Sequence, residues 1–142
     1  MQTLTIEIEP QSYKRARLST YGGKSHVHNE KDYLKYRNSL AFLVSWQLKE
    51  RKITPLLEKP IKISCEFYLT PPKSMIKKTS EPWKNRFHVY TPDIDNLAKA
   101  LLDSCNKILF NDDSQVYELN IKKAYDVKPH IIINFEYLNG TV

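Results

Sequence analysis

The chain has little glycine, little cysteine and no long apolar run. Three glycines in 142 residues exclude a Gly-rich phosphate loop and a flexible Gly linker. No stretch approaches the ~18 consecutive apolar residues that a membrane span requires. The first residues, Met1-Gln-Thr-Leu-Thr-Ile-Glu, have a strand-like pattern and lack a signal peptide's apolar core. Two cysteines, Cys65 and Cys105, lie inside apolar patterns and are expected as buried, reduced thiols, so the expected compartment is the cytoplasm. No cysteine or serine has a triad context. Hydrophobic residues make up 41% of the chain, enough for a core, and so exclude a disordered polypeptide.

Acid is also scarce, but it is concentrated. The net charge is +6. Residues 11–37 carry Lys14, Arg15, Arg17, Lys24, Lys31, Lys35 and Arg37 against Glu30 and Asp32. Residues 71–88 carry Lys73, Lys77, Lys78, Lys84 and Arg86 against Glu81. The acids gather around 93–118. Cations attract a phosphate backbone and clustered carboxylates recruit divalent metal. Solvated surface lysines would give the same net charge, so basicity alone does not establish nucleic-acid binding.

Hydrophobic spacing divides the chain into elements. Leu4, Ile6 and Ile8 alternate with polar residues as a half-buried strand that Pro10 ends. Residues 11–29 are polar and basic and are expected as a loop or arm. A helix is expected from Asn29 to about Lys52, with Tyr33, Leu34, Leu40, Phe42, Leu43, Trp46 and Leu48 as its apolar positions. Ile61, Ile63, Cys65, Phe67 and Leu69 alternate through a second strand, stopped by Pro71-Pro72. Residues 73–86 are expected as a basic loop and Phe87–Tyr90 as a short strand. A second helix follows Pro92, with Asp93 as N-cap and Asp95 in its first turn. Ile94, Leu97, Ala98, Leu101, Cys105 and Ile108 should face the core, and Asp95, Lys99 and Asp103 the opposite side. Val116, Leu119 and Ile121 indicate a bulged strand. Asp126-Val-Lys-Pro-His has the composition of a hairpin loop before a last strand at Ile131–Tyr137. The fold class expected is α/β of the α+β kind: one small domain over 1–142, with a mixed sheet of about four to five strands and two main helices.

Thr91-Pro-Asp-Ile-Asp-Asn-Leu-Ala-Lys99 and Asn111-Asp-Asp-Ser-Gln-Val116 carry the chemistry. Carboxylates are hard oxygen ligands suited to Mg²⁺ or Mn²⁺. Asp93 and Asp95 flank a helix start, and Asp112 and Asp113 lie on the turn after that helix. If the four converged, they would form a cation pocket for phosphodiester hydrolysis. Each motif alone has an ordinary structural reading, a helix cap in one case and a turn in the other. Lys99 either pairs with Asp95 across one helical turn or faces the scissile phosphate. His26-Val-His28 is a weak metal signal without nearby cysteines, and His88 and His130 are expected as surface or strand residues. Trp83 and Tyr90 are candidates for stacking on unpaired bases or for the core.

These residues resemble the RusA family of endodeoxyribonucleases, Holliday-junction resolvases common in prophages. The family pattern is Asp-x-Asp-Asn-x-x-Lys, an Asp four residues on, then Asp-Asp-x-x-Val. Asp93, Asp95, Asn96, Lys99, Asp103, Asp112, Asp113 and Val116 match it. Pro10-Gln-Ser-Tyr-Lys-Arg-Ala-Arg17 is similar to the family's early basic segment. The resemblance implies Asp93, Asp95 and Asp113 as essential carboxylates, with Asp112 as a further ligand, and Lys99 as the important lysine. It implies Mg²⁺, with Mn²⁺ as a substitute, and a homodimer that makes paired symmetric nicks in a four-way junction. Lys14, Arg15, Arg17, Lys73, Lys77 and Lys78 are the expected DNA contacts. Where many members carry a glycine before the Asp-Asp loop, this chain has Asn106-Lys107, a departure that bears on loop geometry more than on chemistry. Two other classes remain: an inactive module that binds branched DNA, and a metal-dependent phosphatase acting on small substrates.

Overall fold

In the computed structural model the described residues are 1–14, 17–21, 24–28, 30–78 and 86–140, with side chains described outside 17–21, 24–28, 30 and 77–78. The chain runs β1 (Gln2–Ile6), β2 (Arg17–Tyr21), β3 (Lys24–His28), α1 (Glu30–Glu50), β4 (Ile61–Leu69), α2 (Lys73–Lys78), α3 (Ile94–Cys105), β5 (Val116–Tyr125) and β6 (His130–Tyr137). A mixed sheet has the order β1-β6-β4-β5, and β2 and β3 form a separate ribbon. β4 pairs parallel with β5 and antiparallel with β6, and β1 pairs antiparallel with β6. The α+β mixed-sheet expectation holds.

One face of the sheet is apolar because its strands alternate. Ile61, Ile63, Cys65, Phe67 and Leu69 of β4 bury beside Ile131, Ile133 and Phe135 of β6 and Leu4 and Ile6 of β1. The helices close that face. α1 contributes Tyr33, Tyr36, Leu40, Val44 and Leu48 at steps of three and four, and α3 contributes Leu97, Leu101 and Cys105. The opposite face is polar, with Lys62–Glu118 at 3.1 Å and Lys122–Glu66 at 2.7 Å bridging β4 and β5.

Five expectations need correction. The connection 126–129 is not a hairpin loop: β4 lies between β5 and β6, and the link crosses the end of β4, where the Asp126 N–H donates to the Leu69 carbonyl at 3.0 Å. The arm at 11–29 contains the β2–β3 ribbon, closing at Tyr21↔Lys24 on either side of Gly22-Gly23. The basic loop opens with α2, whose Met75 and Ile76 N–H groups donate to the Pro72 carbonyl. The short strand at 87–90 reduces to one antiparallel bridge, Phe87↔Ala124. On the helices, Phe42 (67% exposed), Trp46 (51%) and Ile94 (38%) face outward rather than into the core. The expected bulge in β5 is present: Ile61 pairs with Val116 and Lys62 with Glu118, so Tyr117 is the extra residue.

Candidate active site

The approach to α3 is built on β5. The His88 N–H donates to the Lys123 carbonyl at 3.1 Å, and the Tyr125 N–H donates to the Arg86 carbonyl at 3.0 Å. The Tyr90–Pro92 turn, with a cis Thr91–Pro92 bond, then leads into Asp93. Asp93 occupies the N-cap position with extended backbone angles, and its carbonyl accepts the Leu97 N–H at 3.1 Å. Its carboxylate makes no capping bond. An N-cap aspartate ordinarily accepts from the first-turn amides and stabilises the helix by ~1 kcal/mol. Asp93 forgoes that gain and turns its charge outward. Asp95, one residue into the helix, is exposed beside it. Both line an open cleft of about 840 Å³ with His88, Tyr90, Ile94 and Lys123.

The second pair of acids has divided roles. Asp112 caps a 3-10 turn at Asp113–Gln115, accepting the Ser114 N–H at 3.0 Å, while its own N–H donates to Gln115 Oε1 at 2.9 Å. Ser114, first through its side chain and then through its backbone N–H, holds the Asp112 carboxyl below the ordinary aspartate range. Asp113 has no such partner among the described residues. Asp103, the second acid on α3, accepts the Tyr33 hydroxyl at 2.5 Å. Burial first, then this bond, pushes the Tyr33 hydroxyl pKa well up. Of the motif acids, Asp93, Asp95 and Asp113 are therefore left without a side-chain hydrogen bond or ion pair among the described residues. At the site of the departure noted above, Lys107 takes the left-handed conformation, φ 65°, that glycine adopts without cost.

The two pairs do not meet within one chain. α3 has 12 residues, a length of ~18 Å, and Asp113 follows its far end. Along β5, Val116 and Ile121 are ~17 Å apart, with Asp113 before the first and the Asp93–Asp95 cleft beside the second. Among the described residues, no group of three or more His, Cys, Asp or Glu side chains comes close enough to hold a metal ion. Asp93 and Asp95 still suit Mg²⁺ chemically, because it binds through one or two carboxylates and keeps several waters.

Lys99 makes no ion pair with Asp95 or Asp103 among the described residues. Its ammonium stands over the Tyr13 ring, 4.2 Å from the centroid. Tyr13 is anchored in turn, its N–H donating to the Asn96 carbonyl at 2.9 Å and its ring meeting Tyr33 edge-on at 5.1 Å. The N-terminal segment is thus fastened to the motif helix. Lys14 and Lys73 are exposed. Arg15 and Trp83 lie outside the described residues, as do the side chains of Arg17, Lys77, Lys78, His26 and His28.

Two cleft residues were not foreseen. His88 is buried, not a surface residue, with Nδ1 unpartnered among the described residues; burial first and then Lys123 lower its pKa. Lys123 is half-buried, and its ammonium donates to the Tyr90 carbonyl at 2.6 Å and the Pro92 carbonyl at 2.7 Å. A lysine within a strand gives no sequence signal of such a bond. His130 stacks on Tyr68 at 4.4 Å. No described helix is long and apolar enough to cross a membrane.

Comparison with known proteins places these residues among relatives. The family model described as "Endodeoxyribonuclease RusA" matches residues 7–136. The chain is 30% identical over 131 residues to "Uncharacterized protein YqaN" of Bacillus subtilis (strain 168), covering 89% of each protein. It is 29% identical over 133 residues to "Crossover junction endodeoxyribonuclease rusA" of Lactococcus phage r1t, covering 92% of this chain and 96% of that one.

Proposed function

Because the chain belongs to the RusA family of endodeoxyribonucleases, we propose that it is a divalent-metal-dependent nuclease that resolves four-way DNA junctions by paired symmetric cuts, in recombination and repair. The observation that carries this reading is the pair of carboxylates at Asp93 and Asp95, which line one cleft with neither a cap bond at Asp93 nor a cation partner among the described residues. Two adjacent negative charges in a basic protein are stable together when a cation joins them. Mg²⁺, or Mn²⁺ in its place, held by Asp93, Asp95 and Asp113, would activate water and neutralise charge on the phosphate. Lys99 would offset charge developing on the scissile phosphate. Lys14, Arg15, Arg17, Lys73, Lys77 and Lys78 would hold the DNA backbone. Asp112, already committed to its turn, would act as a support for Asp113.

The separation of Asp113 from the other two acids favours a homodimer whose sites are shared. Two symmetric cuts are most simply made by two sites related by a two-fold axis. β5 is an edge strand, and among the described residues Phe87↔Ala124 is the bridge on its outer side. Phe87, Val89, Tyr90 and Ile94, in the segment bridged to β5, and Tyr117 and Leu119 of β5 itself are exposed and apolar. Two copies apposed antiparallel along β5 would bring Asp113 of one toward the Lys123 end of the other, where Asp93 and Asp95 lie.

A labelled mobile four-way junction incubated with the protein and Mg²⁺ tests this function. Two symmetric nicks with ligatable ends, lost in EDTA, are expected; cleavage that survives EDTA would refute the metal requirement. The separation of the acids within one chain also suits a second reading, a catalytically inactive module that binds branched DNA. Its signature is metal-independent junction binding with no nicks on any branched substrate.

A further inference from the structure

We propose that Lys123 is a positioning residue: it clamps the turn that delivers Asp93 to the cleft and thereby sets the geometry of the cation site. The proposal deepens the nuclease reading and rests on it for the identity of that site.

The clamp has three bonds. The Lys123 ammonium donates to the Tyr90 and Pro92 carbonyls at 2.6 and 2.7 Å, and the Lys123 carbonyl accepts the His88 N–H at 3.1 Å. One residue therefore ties both limbs of the 88–92 turn to β5, and Pro92 immediately precedes Asp93. Asp93 needs such support from outside. Its side chain makes no cap bond, so its own helix does not fix its carboxylate. Bonds from an ammonium to carbonyl groups are charge-assisted and about twice as strong as neutral ones. Lys123 lies on the strand face that β5 turns toward the helices, opposite Phe67 in the parallel register, and is half-buried. Lys122, its neighbour, points to the other face and pairs with Glu66 at 2.7 Å.

A charge effect and a positioning effect predict opposite signs. Lys123 is a cation beside a cleft that would bind a cation. If its charge were its whole contribution, replacing it by methionine would remove a repulsion and tighten metal binding. If it holds Asp93 in place, the same replacement loosens a ligand and weakens metal binding, since losing a group that orients a metal ligand costs about 10–100-fold in metal affinity.

The test measures Mn²⁺ affinity by electron paramagnetic resonance, without DNA, for the wild type, Lys123→Met and Lys122→Met. Junction nicking against Mg²⁺ concentration and exchange of the Leu97 amide are measured alongside. In Lys123→Met we expect Mn²⁺ affinity to fall about tenfold or more and the half-saturating Mg²⁺ concentration to rise by a similar factor. Leu97, whose N–H is bonded to the Asp93 carbonyl, is expected to exchange faster, and metal-free junction affinity to stay within about twofold. Lys122→Met is expected to leave Mn²⁺ affinity unchanged or slightly tighter. Lys123→Arg, which retains charge and paired donors, should recover part of the loss, and it serves as the folded probe if the methionine variant does not fold. Unchanged or tighter Mn²⁺ binding in Lys123→Met, with unchanged Leu97 exchange, overturns the clamp. A wild type that binds Mn²⁺ but nicks no branched DNA overturns the nuclease reading and leaves the clamp standing. A wild type that binds no Mn²⁺ and nicks nothing overturns both, because the clamp would then position no cation site.

Discussion

Replacing Asp113 by asparagine is expected to abolish junction nicking without loss of stability, whereas the same change at Asp112 is expected to preserve both. The two neighbours have different bonds. Asp112 accepts the Ser114 N–H at 3.0 Å and its N–H donates to Gln115, whose amide in turn donates to the Leu57 and Lys59 carbonyls at 2.8 and 3.1 Å. Asparagine caps about as well as aspartate, so Asp112→Asn keeps this turn; alanine cannot accept the bond. For a chain of this length the loss of one cap lowers Tm by about 2–5 °C. Because the folded-state pKa of Asp112 is depressed, the charged cap's contribution is present above the ordinary aspartate range and lost as pH falls through the folded value. The Tm gap between wild type and Asp112→Ala should therefore narrow in acid. Asp113 has no such bond to lose, so Asp113→Asn should melt with the wild type while nicking falls by a factor on the order of 10³. Thermal melts and single-turnover nicking on a labelled junction measure both. If Asp112→Asn were the dead variant and Asp113→Asn active, the assignment of Asp113 as the ligand would be refuted.

Lys99→Ala is expected to cut turnover by about 10²–10³-fold with little change in junction affinity, and equal losses in both would reduce Lys99 to a binding residue. Tyr33→Phe removes the donor to Asp103 and should cost about 1.5 kcal/mol in denaturant melts while nicking stays within about twofold; a nicking defect at full stability would place Asp103 in the reaction. His88 has a lowered folded-state pKa, so the stability it contributes is complete above about 6.5 and lost as pH falls below that value. His88→Gln should flatten the stability curve between pH 7 and 5, and an unchanged slope would show that His88 does not titrate on unfolding.

Much of the architecture was legible because alternation and helical spacing are local. Ile61–Leu69 and Ile131–Tyr137 declare strands, and the mismatch among Val116, Leu119 and Ile121 declares the bulge. The strand order was not legible. A four-residue link between two strands resembles a hairpin, and the insertion of β4 between β5 and β6 is a long-range pairing that no local pattern announces. The β2–β3 ribbon was hidden by polar composition. On α1, the apolar Phe42 and Trp46 follow the same period as the core and still face outward, because the sheet covers one stripe of the helix and the next stripe lies beyond it. At the site, the motif singled out Asp93, Asp95, Asp113 and Lys99 as candidates but not how far apart they lie. That distance follows from α3 and β5 lying alongside each other, a tertiary property. The commitment of Asp112 to its turn and the two carbonyls under Lys123 are likewise invisible until the backbone is placed.

The central claim is that a junction-cutting site is assembled from Asp93 and Asp95 of one chain and Asp113 of another. Mixing two inactive variants, Asp95→Asn and Asp113→Asn, under conditions of subunit exchange tests it most directly. Random exchange makes about half the dimers mixed, and each mixed dimer then has one intact shared site, so about a quarter of the wild-type nicking should return. It should appear as single nicks, turning a supercoiled cruciform plasmid into an open circle rather than a linear molecule. No recovery from well-mixed, folded dimers would contradict the claim.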